Sequence, residues 1–233
     1  MENLVVGTDG TMSDYCDVLR SNTADDVLTI EVLRTSTNEV LAGQLNGAEL
    51  ETVQTFAREL QDQVPDGAGS GEGYTEYYEV RDDSGAIVVS VPVESDEVNG
   101  QGEVLDDGST WPALRVSPDF SGFDGGYSAP GAIIAASSDL AVLTPEDVLD
   151  AFSQDVVGTD CAAAGRQPYD DGVCVGTYEL HAACGGTETV IVLLAAKPVD
   201  GSFMVIVAVQ ATSDSDLAAL DRILDSFAVV GDV

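Results

Sequence analysis

The sequence predicts an α+β fold in which helices pack on an antiparallel sheet. Two nearly continuous apolar runs, 188–196 and 202–211, flank the turn at 197–201. Strands of that composition are buried on both faces, so other elements must cover both sides of the sheet. Apolar residues at helical spacing over 214–227 predict a helix that can supply one of these covers.

Further elements follow from local patterns. Two strand-like runs on either side of the turn residues Asp82–Gly85 predict a hairpin of strands 74–80 and 86–93. Shorter strands are expected at 113–116 and 131–137. The segment Thr144–Asp147 predicts a helix start, because it combines a capping threonine, a proline at the first turn and acids near the positive end of the helix dipole.

The chain is expected to divide at a flexible linker. Four glycines, a proline and a serine occupy 65–73, a composition typical of linkers. The predicted organisation is therefore a first segment at 1–64, the linker at 65–73, and an α+β sandwich domain at 74–233.

Within the first segment, four elements are expected. A helix over 11–20 is followed by strands at 26–34 and 39–45. A capping asparagine and apolar residues every three or four positions predict a second helix over 46–64.

Composition excludes several functions. The 233-residue chain has 42 acidic and 8 basic side chains, a formal net charge of −34, so it lacks the basic patch that nucleic acids or anionic membranes require. With 44% hydrophobic residues, the chain can form a core despite its charge. The apolar runs fall short of the roughly 20 residues that span a bilayer, so membrane insertion is not expected. The calcium loop pattern D-x-[DN]-x-[DN]-G-x5-E is absent.

No catalytic residue can be assigned. His181 is the single histidine, so any serine or cysteine triad would have to use it. The G-x-S-x-G segment of hydrolase nucleophiles is absent. An acidic hydrolase centred on His181 is therefore a minor hypothesis, and a structurally bonded histidine is the preferred interpretation.

Three of the four cysteines lie close together in sequence. With His181 they form the pattern C-x12-C-x6-H-x2-C, which could bind zinc, although zinc ribbons use closer cysteine pairs. The preferred hypothesis is a disulfide between Cys161 and Cys184, whose loop closure would stabilise the fold by about 3.4 kcal/mol. Cys16 and Cys174 would then be free or paired with each other. Neither a metal nor another cofactor is predicted.

A disulfide implies an oxidising compartment, so the protein is expected to be extracellular or in the cell envelope. Residues 1–4, Met-Glu-Asn-Leu, do not resemble the start of a signal peptide. Any export signal would then lie outside this chain.

The segments Gly7–Arg20 and Asp26–Arg34 resemble the C-terminal half of a PDZ domain. The resemblance is to PDZ domains that follow the trypsin-like domain in exported actinobacterial HtrA-like serine proteases, and it covers about 1–46. It implies that the helix beginning near Thr11 forms one wall of a peptide groove. It also implies that the peptide-pairing strand and the protease domain lie upstream of Met1, so no catalytic residue is carried over.

The remainder of the chain resembles the accessory domains found downstream in such exported proteins, and its pattern is similar to the Mog1/PsbP-like α/β sandwich. The residues that carry this resemblance are Val91-Pro92, Pro130-Gly131, Cys161, Tyr169–Gly172, Cys184–Thr187 and Asp221–Phe227.

The two resemblances imply a non-catalytic accessory or interaction region of an HtrA-like serine protease, with a protein or peptide partner. The alternative is an autonomous extracellular protein that binds a ligand or a cell surface.

Overall fold

The structure is a computed structural model, and it divides the chain into two compact units. The first comprises Met1–Arg34 and Glu39–Val53, and the second comprises Thr35–Asn38 and Gln54–Val233. The structure describes residues 29–34, 39–44, 51–54, 60, 73–104, 110–157, 160–171, 173–231 and 233.

In the first unit, three strands form a sheet. Strands β1 (Thr29–Arg34), β2 (Glu39–Gln44) and β3 (Glu51–Gln54) lie in the order β1-β2-β3. β1 and β2 are antiparallel over their full length, as the sequence predicted. β3 falls where the sequence predicted a helix over 46–64. The β-branched pair Thr52-Val53 favours a strand where a neighbouring strand is available for pairing.

The predicted helix over 11–20 lies outside the described residues. That helix was to form one wall of the peptide groove, so the PDZ-like interpretation of the first segment stays a prediction.

The second unit is built on an antiparallel sheet of seven strands. Their bounds are β6 Glu97–Asn99, β9 Ala113–Ser117, β10 Gly131–Ser137, β11 Ala162–Asp170, β12 Cys174–Ala182, β13 Val190–Pro198 and β14 Met204–Ala211. The order is β11-β12-β13-β14-β10-β9-β6. Every neighbouring pair is antiparallel.

Smaller elements complete this unit. A three-stranded sheet has the order β15-β5-β4, and a separate pair joins β7 to β8. These strands are β4 Tyr77–Arg81, β5 Ile87–Pro92, β7 Glu103–Val104, β8 Thr110–Trp111 and β15 Ala228–Val229. The helices are α1 Phe120–Asp124, α2 Pro145–Val156 and α3 Asp214–Ser226, with 3₁₀ turns at Asp139–Val142 and Cys184–Gly186.

The central strands are buried on both faces. Along β13, alternate residues from Val190 to Ala196 join a core with β5 and α3, and we call this side the α3 face. The intervening residues Ile191, Leu193 and Ala195 join a second core with Val148 and Leu149 of α2, and we call this side the α2 face. The predicted α+β architecture, an antiparallel sheet covered by helices, is therefore confirmed.

Local signals in the sequence place both long helices. The Thr144 side chain accepts from the backbone N–H of Asp147, whose carboxylate accepts from the Thr144 N–H in return. This capping box satisfies donors that the first turn otherwise leaves unpaired. At α3 the Ser213 side chain is the cap, and it accepts from the backbone N–H of Asp216 at 3.4 Å.

Among the described residues, no helix is long and apolar enough to cross a membrane.

The two-sided burial of β13 makes a stability prediction. Leu193 is fully buried on the α2 face, so Leu193→Ala should lower the free energy of unfolding by about 2 to 5 kcal/mol. Leu143→Ala is the matched control, because Leu143 is 38% exposed, and we expect it to change stability by about 0.5 kcal/mol or less. Urea denaturation followed by circular dichroism measures both. Equal losses in the two variants would contradict the packing described here.

Candidate functional site

A chain of ion pairs and hydrogen bonds links α2 to the edge of the main sheet. On β12, His181 Nε2 lies 3.1 Å from Glu179 Oε2. Glu179 Oε1 accepts from Nε of Arg166, which lies directly opposite on β11, at 2.5 Å. The same guanidinium is 2.7 Å from a carboxylate oxygen of Asp150 on α2. One arginine therefore connects two strands to the helix.

Strand periodicity places these polar residues together. Thr177, Glu179 and His181 alternate along β12 and are buried. The Thr177 hydroxyl donates to Oε1 of Glu146 on α2 at 2.8 Å. Buried polar groups without partners are costly, and α2 supplies partners for this row.

The carboxyl of Glu179 is held ionised by its neighbours. Burial alone would raise its pKa, but hydrogen bonds from Arg166 and His181 outweigh that effect and leave the pKa below its ordinary value. The hydrogen bond from Thr177 likewise lowers the pKa of Glu146.

His181 is held in place by this network. The residue is 7% exposed, and Nε2 is hydrogen-bonded to Glu179. A general base must reach the proton of a nucleophile or substrate, and this imidazole is shielded from solvent by the fold around it. The geometry supports the preferred interpretation, in which the histidine has a structural role.

The structure joins Cys161 to Cys184 by a disulfide, which lies at one end of the edge hairpin. Cys161 immediately precedes β11 and Cys184 follows β12, while Ala162 and Ala182 are paired partners in the register. The bond therefore links the two chain segments where the β11–β12 pairing ends. It also uses two of the three thiols that the zinc hypothesis required.

Cys174 is unbonded and half-buried. Burial raises the pKa of its thiol to about 11, and the negative charges of Asp171 and Asp200 act in the same direction. Because the thiolate is the reactive form, this environment opposes nucleophilic chemistry. Cys16 lies outside the described residues.

Within the ranges that the structure describes, no three His, Cys, Asp or Glu side chains come together in a way that could hold a metal ion.

The same sheet face carries a cavity away from α2. It has a volume of about 260 Å³ and is lined by Arg115, Phe123, Asp124, Ile133, Ile191, Ala208, Val209 and Gln210. Three of these residues form one row across neighbouring strands, since Ile133 pairs with Arg115 of β9 on one side and with Ala208 of β14 on the other. Ile191 and Gln210 are paired partners in the next row.

Arg115 and Asp124 are the charged groups among the lining residues. The Nη2 atom of Arg115 forms an ion pair with Asp124 at the end of α1. The guanidinium carbon lies 5.8 Å from the ring centre of Phe120 and 6.0 Å from that of Phe123, within the range of cation–π attraction. Nε is buried and has no hydrogen-bond partner among the described residues.

Two polar and steric details shape the cavity walls. Gln210 is buried, and its Nε2 donates to the backbone oxygens of Gly126 at 3.1 Å and Ala129 at 2.7 Å. A Cβ on Gly131 would come within 2.7 Å of the Phe123 ring, so glycine at this position lets the ring pack against β10.

The sequence did not identify this site. Arg115 was part of a predicted strand at 113–116, and no role was assigned to it. One feature of the sequence could have indicated it. Arg115 is a basic residue between the apolar residues Leu114 and Val116, in a chain with only 8 basic residues.

Comparisons with known proteins assign no family. No family model matches the chain, and no curated protein matches it. The solved structures that resemble it include the Ran-binding protein Mog1p of Saccharomyces cerevisiae and a mutant of Mog1. The first is 14% identical with a TM-score of 0.38 and covers 66% of this chain and 96% of its own. The second is 14% identical with a TM-score of 0.39 and covers 68% and 98%.

Both structures bear the name of the fold family that the sequence resembles. At this identity and TM-score, the likeness carries no argument about the activity or partners of this chain.

The Glu179 network predicts a pH-dependent contribution to stability. Glu179→Gln should lower the free energy of unfolding by about 1 to 3 kcal/mol at pH 7, because it weakens hydrogen bonds to charged, buried partners. The folded-state pKa of Glu179 is lowered. The stabilisation is therefore complete above the unfolded pKa of about 4.3 and disappears as the pH falls through the lower folded value.

Urea denaturation between pH 7 and pH 3 tests this prediction. The difference between the wild type and Glu179→Gln should shrink only in the acid range. Glu188→Gln, at an exposed position, is the control and should change little at any pH. A difference that stays constant down to pH 3 would contradict the role given to Glu179.

The disulfide makes a separate prediction. Replacing Cys161 and Cys184 by serine should lower the free energy of unfolding by about 3 kcal/mol, because the unfolded chain regains the entropy of the open loop. Cys174→Ser is the control and should leave the effect of added reductant intact. Thermal unfolding with and without dithiothreitol measures both. Insensitivity of the wild type to reductant would show that the bond does not stabilise the fold.

Proposed function

We propose that this chain is a non-catalytic binding or accessory region of an exported protein. The observation that carries the proposal is the placement of the two chemically distinctive groups on one sheet face. The lone histidine is held in a buried ion-pair network under α2. The cavity on the same face is lined by apolar side chains, Gln210 and the Arg115–Asp124 ion pair. Its one carboxylate is therefore engaged by a guanidinium and does not form an acid–base pair with a histidine or a second carboxyl.

Export is supported by the disulfide. A bond between Cys161 and Cys184 persists in oxidising compartments and is rare in the cytosol. The proposed location is therefore extracellular or in the cell envelope.

The more specific form of the proposal is an accessory region of an HtrA-like serine protease of actinobacterial type. Its support is the resemblance of 1–46 to half a PDZ domain. PDZ domains bind peptides by adding them as a strand to a sheet edge, so the proposed partner is a protein or peptide. An upstream coding sequence in frame with a trypsin-like domain would support this parentage, and a different gene there would contradict it.

Hydrolysis assays on the purified chain test the non-catalytic proposal. A panel of peptide, ester and glycoside substrates should show no turnover by the wild type, and His181→Ala should behave identically. Turnover that is lost in His181→Ala would overturn the proposal in favour of the hydrolase hypothesis. Turnover that survives the substitution would overturn it as well.

The alternative function, an autonomous binding protein, is favoured by one further observation. The second unit has its own core on both faces of the main sheet. Leu60 is fully buried in the core on the α3 face, although it precedes the predicted linker at 65–73. A self-standing domain should therefore include Leu60.

Two fragments test this alternative. Residues 54–233 should fold alone and unfold in one cooperative transition by circular dichroism. Residues 74–233 lack Leu60 and should be less stable by about 2 to 5 kcal/mol, the usual cost of losing a buried leucine side chain. An unfolded 54–233 fragment would contradict the autonomous domain, and equal stability of the two fragments would contradict the role given to Leu60.

A further inference from the structure

Apolar side chains are exposed together near the start of β12 and the end of β13. Among the described residues, five large apolar side chains are at least half exposed, and four of these belong to one region. The four are Val142, Val173, Val175 and Val199, and we call them the valine patch. Their exposed fractions run from 50% to 87%. Single apolar residues on a surface are ordinary, whereas a cluster of them is typical of a contact surface.

Strand pairing holds three of the four valines together. Val175 of β12 pairs with Lys197 of β13. One residue beyond each strand, the N–H of Val199 donates to the carbonyl oxygen of Val173 at 3.2 Å. Side chains alternate along a strand, so Val175 lies on the same face as Thr177, whose hydroxyl donates to the first turn of α2. This part of the valine patch is therefore on the α2 face, next to the start of that helix.

Lys197 connects the fourth valine to this group. Its Nζ donates to the backbone oxygen of Ala141 at 2.6 Å, so the 3₁₀ turn at Asp139–Val142 lies within reach of this side chain. The turn ends with the most exposed member of the valine patch. Lysine side chains cover apolar surface with their methylene groups while the ammonium stays in a polar environment. The valine patch is therefore grouped around one lysine.

Exposed carboxylates border the valine patch. Asp170 is opposite Val175 in the register of β11 and β12, and Asp200 directly follows Val199. Asp139 is in the 3₁₀ turn with the fourth valine. All three aspartates are exposed. An apolar centre with a polar border is the usual anatomy of a protein interface.

The charge around the valine patch selects the kind of partner. A second copy of this chain would bring another net charge of −34 and the same three aspartates, so like charges would meet across the interface. Lys197 contributes a single positive charge against three carboxylates. A partner with basic side chains around an apolar centre is complementary to this surface in both charge and polarity.

We propose that the valine patch binds a protein segment whose apolar side chains are flanked by lysine or arginine. The apolar side chains pack on the valines, and the basic ones lie near Asp139, Asp170 and Asp200. This inference rests on the binding function proposed above and names one surface and the chemistry of its partner. Its test involves neither hydrolysis nor residues 1–46, so the proposed function can stand if this surface fails.

Three synthetic peptides of equal length test the partner chemistry. The first is a basic amphipathic helix of leucine and lysine, and the second has the same residues in an order that spreads the leucines around the helix. The third replaces every lysine of the first by glutamate. Each carries a fluorophore and is titrated with the full chain at physiological ionic strength, where long-range attraction is screened. Fluorescence anisotropy measures the Kd.

We expect the first peptide to bind with a Kd about tenfold lower than that of the second, because the charges are equal and only the first presents an apolar face. The glutamate peptide should show no saturable binding. Equal affinity of the first two peptides would reduce the interaction to net charge and overturn the proposal. Tightest binding of the glutamate peptide would overturn it as well, because the sign of the complementarity would be wrong.

Variants locate the binding on the surface. Val142→Ser combined with Val199→Ser removes two apolar side chains from the valine patch and should raise the Kd of the first peptide about tenfold, to that of the second. Val98→Ser combined with Val230→Ser changes two exposed valines outside the patch, and this matched control should bind like the wild type. Circular dichroism checks that both variants fold. Equal effects of the two pairs would place the interaction elsewhere and contradict the proposal.

A charge variant tests the border. Asp139→Asn should raise the Kd of the first peptide about twofold to fivefold, the usual effect of one exposed ion pair. Glu188→Gln removes an exposed carboxylate near the opposite end of β13 and should change the Kd little. Equal effects of the two variants would mean that only the net charge matters, which would contradict a bordered surface.

Two further measurements examine other occupants of the valine patch. Analytical ultracentrifugation of the chain alone should show a monomer, and a dimer that Val199→Ser dissociates would assign the patch to a second copy. Phosphatidylcholine vesicles should not bind the chain, and binding that the same variant abolishes would assign the patch to a lipid surface. Either of these results would overturn the proposal.

Discussion

Burial of β13 and β14 on both faces is the constraint on which the second unit depends. Both strands are apolar at nearly every position, so neither face can be left to solvent. The chain covers one face with α3 and the β5 hairpin and the other with α2. The elements packed on each face then determine which polar side chains of the sheet are buried and which groups they bond to.

The α2 face shows two outcomes of this constraint. Beneath α2, each buried polar side chain of β12 has a partner: Thr177 has Glu146, and Glu179 has both Arg166 and His181. Near α1, the guanidinium of Arg115 is paired on one side only. A fully paired network stabilises the fold, whereas a buried donor without a partner lowers its stability. The polar groups beneath α2 are engaged with one another, so the cavity lined by Arg115, and not the histidine, is the candidate site.

The parts of the fold that follow from local patterns could be predicted. The capping residues at Thr144 place α2, and continuous apolar runs place β10 and the two central strands. β11 could not be predicted, because 162–168 contains small residues, a glycine and a proline and forms a strand through pairing with β12. The residues of β3 were predicted as helix, because apolar residues recur there at helical spacing. The β-branched residues in the same segment favour the strand that forms. The Arg115 site depends on residues from four strands and α1, which no sequence spacing brings together.

Several aspartates and the described basic side chains are engaged by hydrogen bonds, ion pairs or ring contacts within the fold. Several aspartates serve the backbone: Asp82, Asp119, Asp147, Asp171 and Asp216 accept from backbone N–H groups in turns and at helix starts. The described basic side chains are also engaged, Arg81 and Arg166 by carboxylates, Lys197 by the Ala141 carbonyl and Arg222 by the Tyr77 ring. The carbonyl beside Lys197 and the ring beside Arg222 hold these side chains without cancelling their charges. Arg115 differs from the others in that one buried N–H has no hydrogen-bond partner among the described residues, which lowers the stability of the fold.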